Sequence, residues 1–191
     1  MRPILLFLFM MTALVVRAQS ANTDALYEEG KKLYDEKKYS LAIKKLLPAA
    51  QKGHKKAQYR MGRCYDTGHG VAENNTIAFS WYMKAAAQNH AKSQYQVGRC
   101  YKKGKGVKKD RVKAFKYFTL SANKGYAKAK FALGECYFEG KGTTKNLSKA
   151  KSLFLQAIND KKDGAEVLQD LRDDAAKGEE DAIAIRKFLG K

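Results

Sequence analysis

Apolar positions recur along this chain with helical spacing, and the pattern itself repeats every 36 residues. Tyr59, Met61, Cys64 and Tyr65 form one apolar stripe, and Tyr95, Val97, Cys100 and Tyr101 form the next. Gly62, Gly98 and Gly134 keep the same period, as do Cys64, Cys100 and Cys136, and Tyr65, Tyr101 and Tyr137. Residues 57–92 and 93–128 agree at 14 of 36 positions without a gap. A fixed period of this length signals stacked supersecondary units rather than one irregular fold.

Each unit reads as two helices. The first, helix A, is expected at 57–66 and 93–102. A Gly-x-Gly turn follows: Gly68-His69-Gly70, Gly104-Lys105-Gly106 and Gly140-Lys141-Gly142. Helix B then starts near an N-cap candidate, Asn75, Asp110 or Asn146, and carries Ala78, Phe79, Tyr82, Ala85 and Ala86 in one unit. The glycine inside helix A costs about 1 kcal/mol against alanine, so its recurrence predicts a close crossing by helix B. Ala78, Ala114 and Ala150 are the expected small partners. A single hairpin cannot bury its apolar face alone, so the units should stack.

These residues resemble the SEL-one-like repeat (SLR) family, relatives of tetratricopeptide repeats. The family pattern A-x-x-x-L-G-x-x-Y-x-x-G-x-G-V, then A-x-x-W/F-x-x-x-A-A-x-x-G, is met by Ala57, Met61-Gly62, Tyr65, Gly68, Gly70-Val71, Ala78, Trp81 and Ala85-Ala86. The next two units meet it through Val97-Gly98, Tyr101, Gly104, Gly106, Ala114 and Phe118, and through Leu133-Gly134, Tyr137, Gly140, Gly142, Ala150 and Phe154. The resemblance implies an all-α fold, an α/α solenoid superhelix of stacked hairpins. It also implies binding of other proteins through helix A on a concave face. On that analogy the partner-binding residues are Gln58, Arg60, Arg63, Gln94, Gln96, Arg99, Lys130 and Glu135.

The ends depart from the pattern. Residues 1–18 (MRPILLFLFMMTALVVRA) read as a signal peptide: Arg2 is the positive start, and Val16 and Ala18 flank a small-residue cleavage site. The apolar run of 13 residues, Ile4–Val16, is shorter than the roughly 20 a membrane span needs. Export, to a periplasm or to the exterior, is therefore expected, with no transmembrane segment after cleavage. Residues 19–53 match the shorter tetratricopeptide spacing through Leu26, Gly30, Leu33, Tyr39, Ala42, Leu46 and Ala49, and read as an N-terminal cap with Pro48 late in its second helix. Three SLR units fill 54–163. Residues 164–191 read as degenerate capping helices broken at Gly178.

Charge adds a second surface. The chain carries +19, and only 8 of its 38 basic residues are arginine. Residues 160–191 hold 9 acidic and 7 basic residues, so the excess lies upstream. Turns of stacked units share an edge, which predicts a positive strip of Lys103, Lys105, Lys108, Lys109, Lys141 and Lys145. This strip is either a solvated edge or a binder of acidic polymers and anionic envelope surfaces. Lysine is a hydrated point charge, less suited than arginine to reading nucleic-acid bases.

Catalytic chemistry finds little support. The three cysteines occupy one position in successive helices, and neighbouring helices pack about 8–10 Å apart, beyond the roughly 7 Å limit for a disulfide. Some secreted members of the family pair cysteines within a repeat, but the second cysteine of such a pair is absent here. His54, His69 and His90 show no zinc-ligand spacing. Ser121-Ala122-Asn123-Lys124 and Ser148-Lys149-Ala150-Lys151 match the S-x-x-K of β-lactamase-type hydrolases, but no K-T-G follows. Asn74-Asn75-Thr76 and Asn146-Leu147-Ser148 are N-glycosylation sequons. The expectation is a scaffold or adaptor with protein partners, no catalytic residue, no metal and no cofactor.

Overall fold

The computed structural model describes residues 20–190, and all regular structure among them is helical. The signal peptide expected at 1–18 lies outside the described residues. The chain divides after Gln88 into two compact units.

The first unit holds two hairpins. Helix α1 occupies 20–35 of the described chain and pairs with α2 (Tyr39–Gln51), which runs through Pro48. Helix α3 (Lys55–Thr67) pairs with α4 (Asn75–Ala87). Their shared core contains Tyr27, Tyr34, Ala42, Leu46, Ala49, Ala57, Met61 and Cys64. The second unit comprises α5 (Ala91–Lys103) with α6 (Arg111–Ala122), α7 (Ala127–Glu139) with α8 (Leu147–Ile158), and the terminal pair α9 (Gly164–Ala176) and α10 (Glu180–Leu189). Gly178, in a left-handed conformation, separates the last two helices. Leu171, Ala182 and Ile185 close the core around Ala150 and Phe154.

One contact defines every SLR hairpin. A Cβ on Gly98 would stand 2.6 Å from the Phe118 ring, one on Gly134 2.7 Å from Phe154, and one on Gly62 2.5 Å from Tyr82. The expected partners Ala78, Ala114 and Ala150 are therefore corrected to the aromatic residues one helical turn further along helix B. The alanines are buried, but the ring itself covers the glycine. Phe118 and Phe154 are fully buried there, and Tyr82 nearly so. An aromatic side chain brings far more apolar area to the crossing than an alanine could.

The N-terminal hairpin repeats the contact with a different residue. A Cβ on Gly30 would meet Leu46 at 2.8 Å. Leu46 is the 36-residue equivalent of Tyr82, but Gly30 lies four residues nearer to it than the repeat would place it. A shift of four residues is about one helical turn, so the glycine returns to the same face of α1. The turn between α1 and α2 is shorter by those same residues.

The longer SLR turns are held at both ends. Gly68, Gly104 and Gly140 adopt left-handed angles, and their N–H groups donate to the carbonyls of Cys64, Cys100 and Cys136. This is the helix C-cap geometry that a side chain resists. The N–H groups of Asn74, Asp110 and Asn146 then donate to the carbonyls of Tyr65, Tyr101 and Tyr137. The Asn74, Asp110 and Asn146 side chains accept from the backbone three residues on. The cap of α4 is thus Asn74, not Asn75, because Asn74 is the extended residue and Asn75 already belongs to the helix. The second glycine serves packing: a Cβ on Gly142 would collide with the Arg111 backbone, and one on Gly70 would meet Tyr39 at 2.8 Å.

His54 links α1 to α3. Its Nδ1 accepts from the Ala57 N–H at 3.1 Å, and its Nε2 lies 3.0 Å from Asp24. Burial lowers its pKa, and the Asp24 carboxylate opposes this only in part.

Two predictions follow from these contacts. Gly98→Ala should destabilise the chain by about 1–3 kcal/mol through overpacking. In urea titrations the pair Gly98→Ala with Phe118→Ala should cost less than the two single changes added together. Because the folded His54 binds its proton less well than the unfolded residue, its contribution is complete above the ordinary value of 6.5 and is lost as pH falls through the lower folded value. Melting temperature should therefore drop on acidification from pH 7 to about 5. His54→Asn, which keeps a capping acceptor but does not titrate, should flatten that profile.

Candidate protein-interaction surface

The helix A positions named from the sequence divide by burial. Gln58, Gln94 and Gln96 are 5%, 2% and 9% exposed. The expectation that they contact a partner is corrected: their side chains are buried in the stack, where Gln58 and Gln96 make hydrogen bonds. Gln58 donates to the Ala50 carbonyl and accepts from Gln88. Gln96 accepts from Arg99 at 3.1 Å.

Two of the arginines lie over aromatic rings. The Arg60 guanidinium sits 4.8 Å from the Tyr34 centroid and 3.5 Å from Asp35. Arg99 sits 5.9 Å from the Tyr95 ring, and Arg63 is hydrogen-bonded to Tyr59. All three are partly exposed, and the rings beneath Arg60 and Arg99 restrict those side chains, which suits a binding face.

Glu135 belongs to a cavity of about 140 Å³ in the second unit. Tyr95, Phe131, Ala132, Val167, Leu171 and Ile185 form its apolar walls, and Lys128, Glu135, Asp170 and Asp174 supply its polar groups. Lys128 reaches Glu166 at 2.8 Å and Asp170 at 2.9 Å, tying α7 to α9. Glu135 pairs with Lys102 at 2.6 Å. Burial raises the Glu135 pKa against the pull of Lys102, and the Glu139 and Asp181 carboxylates add to the rise. Burial alone would lower Lys102, but the Glu135 carboxylate outweighs it and holds that lysine above its usual value. Lys130 lies apart, beside Ser152, Gln156 and Asp160.

Of the lysine strip, Lys103, Lys108, Lys109 and Lys145 are exposed, while Lys105 and Lys141 are half-buried. Lys141 pairs with Glu139 and lies 3.9 Å from Asp181, so its charge is already matched.

The residues with catalytic precedent have structural places. Ser121 is fully buried and donates to the Ala91 carbonyl at 2.7 Å. Ser148 is exposed at the start of α8. His69 stacks on Tyr39 at 4.2 Å and meets the Tyr34 hydroxyl at 3.0 Å. His90 meets the Ser93 hydroxyl at 2.8 Å. Among the described residues no group of His, Cys, Asp and Glu could hold a metal ion, and no helix is long and apolar enough to cross a membrane. The sequons coincide with the caps of α4 and α8.

A family model for the Sel1 repeat matches residues 55–90, 91–126 and 127–161, more than half of the chain. The chain belongs to the Sel1 repeat family. Its hairpin geometry agrees with solved structures of such repeats. A Sel1 repeat protein from Oxalobacter formigenes is 38% identical over 69% of this chain and 54% of its own, with a TM-score of 0.65. The antigen c5321 of uropathogenic Escherichia coli, described as protective and displaying an SLR fold, is 31% identical over 76% of this chain and 32% of its own, with a TM-score of 0.69. Helicobacter pylori cysteine rich protein B is 25% identical over 65% of this chain and 96% of its own, with a TM-score of 0.51. This chain thus spans about half of the first structure's length and a third of the second's. No curated protein matches it. Sel1 repeats in general are protein-interaction scaffolds and typically non-catalytic.

The cavity itself escaped the sequence. Tyr95 reads as part of the core stripe, and the Lys128–Asp170 and Lys102–Glu135 pairs are 42 and 33 residues apart, off the repeat period.

The three cysteines are buried and form no disulfide with one another. Burial pushes the Cys64 thiol up to about 11 and the Cys136 thiol to about 12. At pH 8 the thiolate fraction at Cys64 is then on the order of one in a thousand. The native protein should react with a thiol-specific reagent far more slowly than the urea-unfolded chain, in which all three cysteines should be titrated. Rapid native labelling at any of them would contradict this burial.

Proposed function

We propose that this chain is an exported, non-catalytic adaptor whose helix A face in the second unit holds a segment of a partner protein. The observation that carries this reading is the cavity walled by Tyr95, Phe131, Val167, Leu171 and Ile185. Aromatic and aliphatic walls combined with a few polar side chains are the usual chemistry of an anchoring pocket. An apolar side chain of the partner fits the walls. Arg99, Glu135 and Asp174 beside it offer donors and acceptors to the partner's backbone. Arg60 and Arg63 furnish a comparable polar face in the first unit. Export is supported by the sequence of residues 1–18 alone.

Site-specific photo-crosslinking in the native host tests the assignment of faces. A photoreactive residue at Asp174 or Arg99 should capture a partner protein. One at Lys116, on the exposed side of α6, should not capture the same protein. Capture from position 116 alone would place the partner on the wrong side of the hairpins and overturn the proposal.

A further inference from the structure

The helix B side of the second unit has a composition that protein binding by helix A leaves unexplained. Neither α6 (RVKAFKYFTLSA) nor α8 (LSKAKSLFLQAI) contains an acidic residue. Folded surfaces ordinarily mix both signs of charge. The first turns of α6 and α8 even carry Arg111, Lys113 and Lys149, where the helix dipole disfavours cations.

The wider charge balance points the same way. Residues 89–158 contain 17 basic residues and only three acidic ones, Asp110, Glu135 and Glu139. All three are engaged within the fold. Asp110 caps α6 and lies 3.4 Å from Lys113, Glu135 pairs with Lys102, and Glu139 pairs with Lys141. The stretch therefore carries a large excess of basic over acidic residues, and Lys116, Lys124, Lys149 and Lys151 are exposed on α6, on α8 and in the turn after α6.

Apolar side chains are exposed among these lysines. Val112 is 67%, Leu120 39% and Leu147 44% exposed. Val112, Lys116 and Leu120 succeed one another every four residues along α6, so they share one stripe, and the exposed Lys124 follows in the turn beyond the helix. Leu147 and Lys151 begin a similar stripe on α8. The turn that leads into α8 packs through Gly142 on the Arg111 backbone, which brings the starts of α6 and α8 to one edge. A cationic face with aliphatic side chains and long lysine stems suits an interface between water and hydrocarbon.

We infer that the outer face of α6 and α8 docks on an anionic lipid surface. Lysines supply long-range attraction to phosphate headgroups, and Val112, Leu120 and Leu147 enter the interface beneath them. A nucleic acid fits less well. Only two of the 17 basic residues, Arg99 and Arg111, are arginines, and a phosphate backbone offers nothing to exposed aliphatic groups. Docking by this face leaves the helix A side of the same unit free.

Vesicle co-sedimentation of the full chain tests this, with phosphatidylcholine vesicles that contain or lack phosphatidylglycerol. Residues 1–18 are common to every variant, so differences between variants report on α6 and α8. Each lysine near an anionic surface is worth about a fivefold change in partitioning. The triple variant Lys116→Glu, Lys124→Glu, Lys151→Glu should therefore partition at least about 100-fold less onto anionic vesicles. The difference should vanish on neutral vesicles and shrink as salt rises from about 0.1 to about 1 M. Val112→Ser with Leu120→Ser should weaken anionic-vesicle binding by about tenfold while leaving binding to heparin, a soluble polyanion, unchanged. Circular dichroism would confirm that both variants keep their helices. Equal partitioning of the parent and the charge variant overturns the proposal. So does a serine variant that binds vesicles as well as the parent does, which would mark a site for soluble polyanions instead.

Discussion

The fold depends on a glycine pressed beneath a ring. In each SLR hairpin helix A offers no Cβ at one position, and helix B lays Tyr82, Phe118 or Phe154 over the gap. The glycine weakens its own helix, yet the closer approach lets a large aromatic side chain be buried completely. Because the same contact sets the crossing of each hairpin, Gly-x-Gly turns of constant length can join the helices, and the next hairpin meets an equivalent surface. The N-terminal hairpin keeps the contact with Gly30 and Leu46 despite a turn four residues shorter, since that shift amounts to one helical turn.

That geometry separates the faces of the second unit by chemistry. Helix A carries the buried amides, Arg99 over the Tyr95 ring and the cavity beside Glu135. Helix B carries lysines and aliphatic residues without a single carboxylate. The acidic residues concentrate in α9, α10 and the loops beside them. Some of them hold the terminal pair in place, as Glu166 and Asp170 do by gripping Lys128. Charge is therefore arranged in two ways in this unit: matched pairs fasten the terminal helices, and exposed lysines cover the outer face of α6 and α8.

The thiols, histidines and S-x-x-K serines illustrate how repeats imitate catalytic motifs. Each cysteine lends its backbone carbonyl to the turn glycine four residues on, while its side chain is sealed in the core. Ser121 is fixed to the Ala91 carbonyl, and His54 caps a helix. In Cys64, Cys100, Cys136, Ser121 and His54 these groups serve packing and capping, while Ser148 stays exposed at the start of α8.

The sequence by itself determined the period, the helical hairpins, the turns and the atypical ends. These are local properties: glycine spacing, caps and apolar stripes act within a few residues of one another, and the 36-residue repeat displays them three times. The candidate surface was legible only in part. Arg99 and Glu135 were readable as helix A residues beside the core stripe, but Gln58, Gln94 and Gln96 occupy similar positions and are buried. Only the tertiary structure decided that difference, because burial depends on what the neighbouring helix presents. It likewise decided that aromatic rings rather than alanines cover the glycines, and that residues 33 and 42 apart meet as Lys102–Glu135 and Lys128–Asp170. Such pairings arise from the angle at which helices cross and the way the terminal pair folds back, and a repeat period carries no record of either.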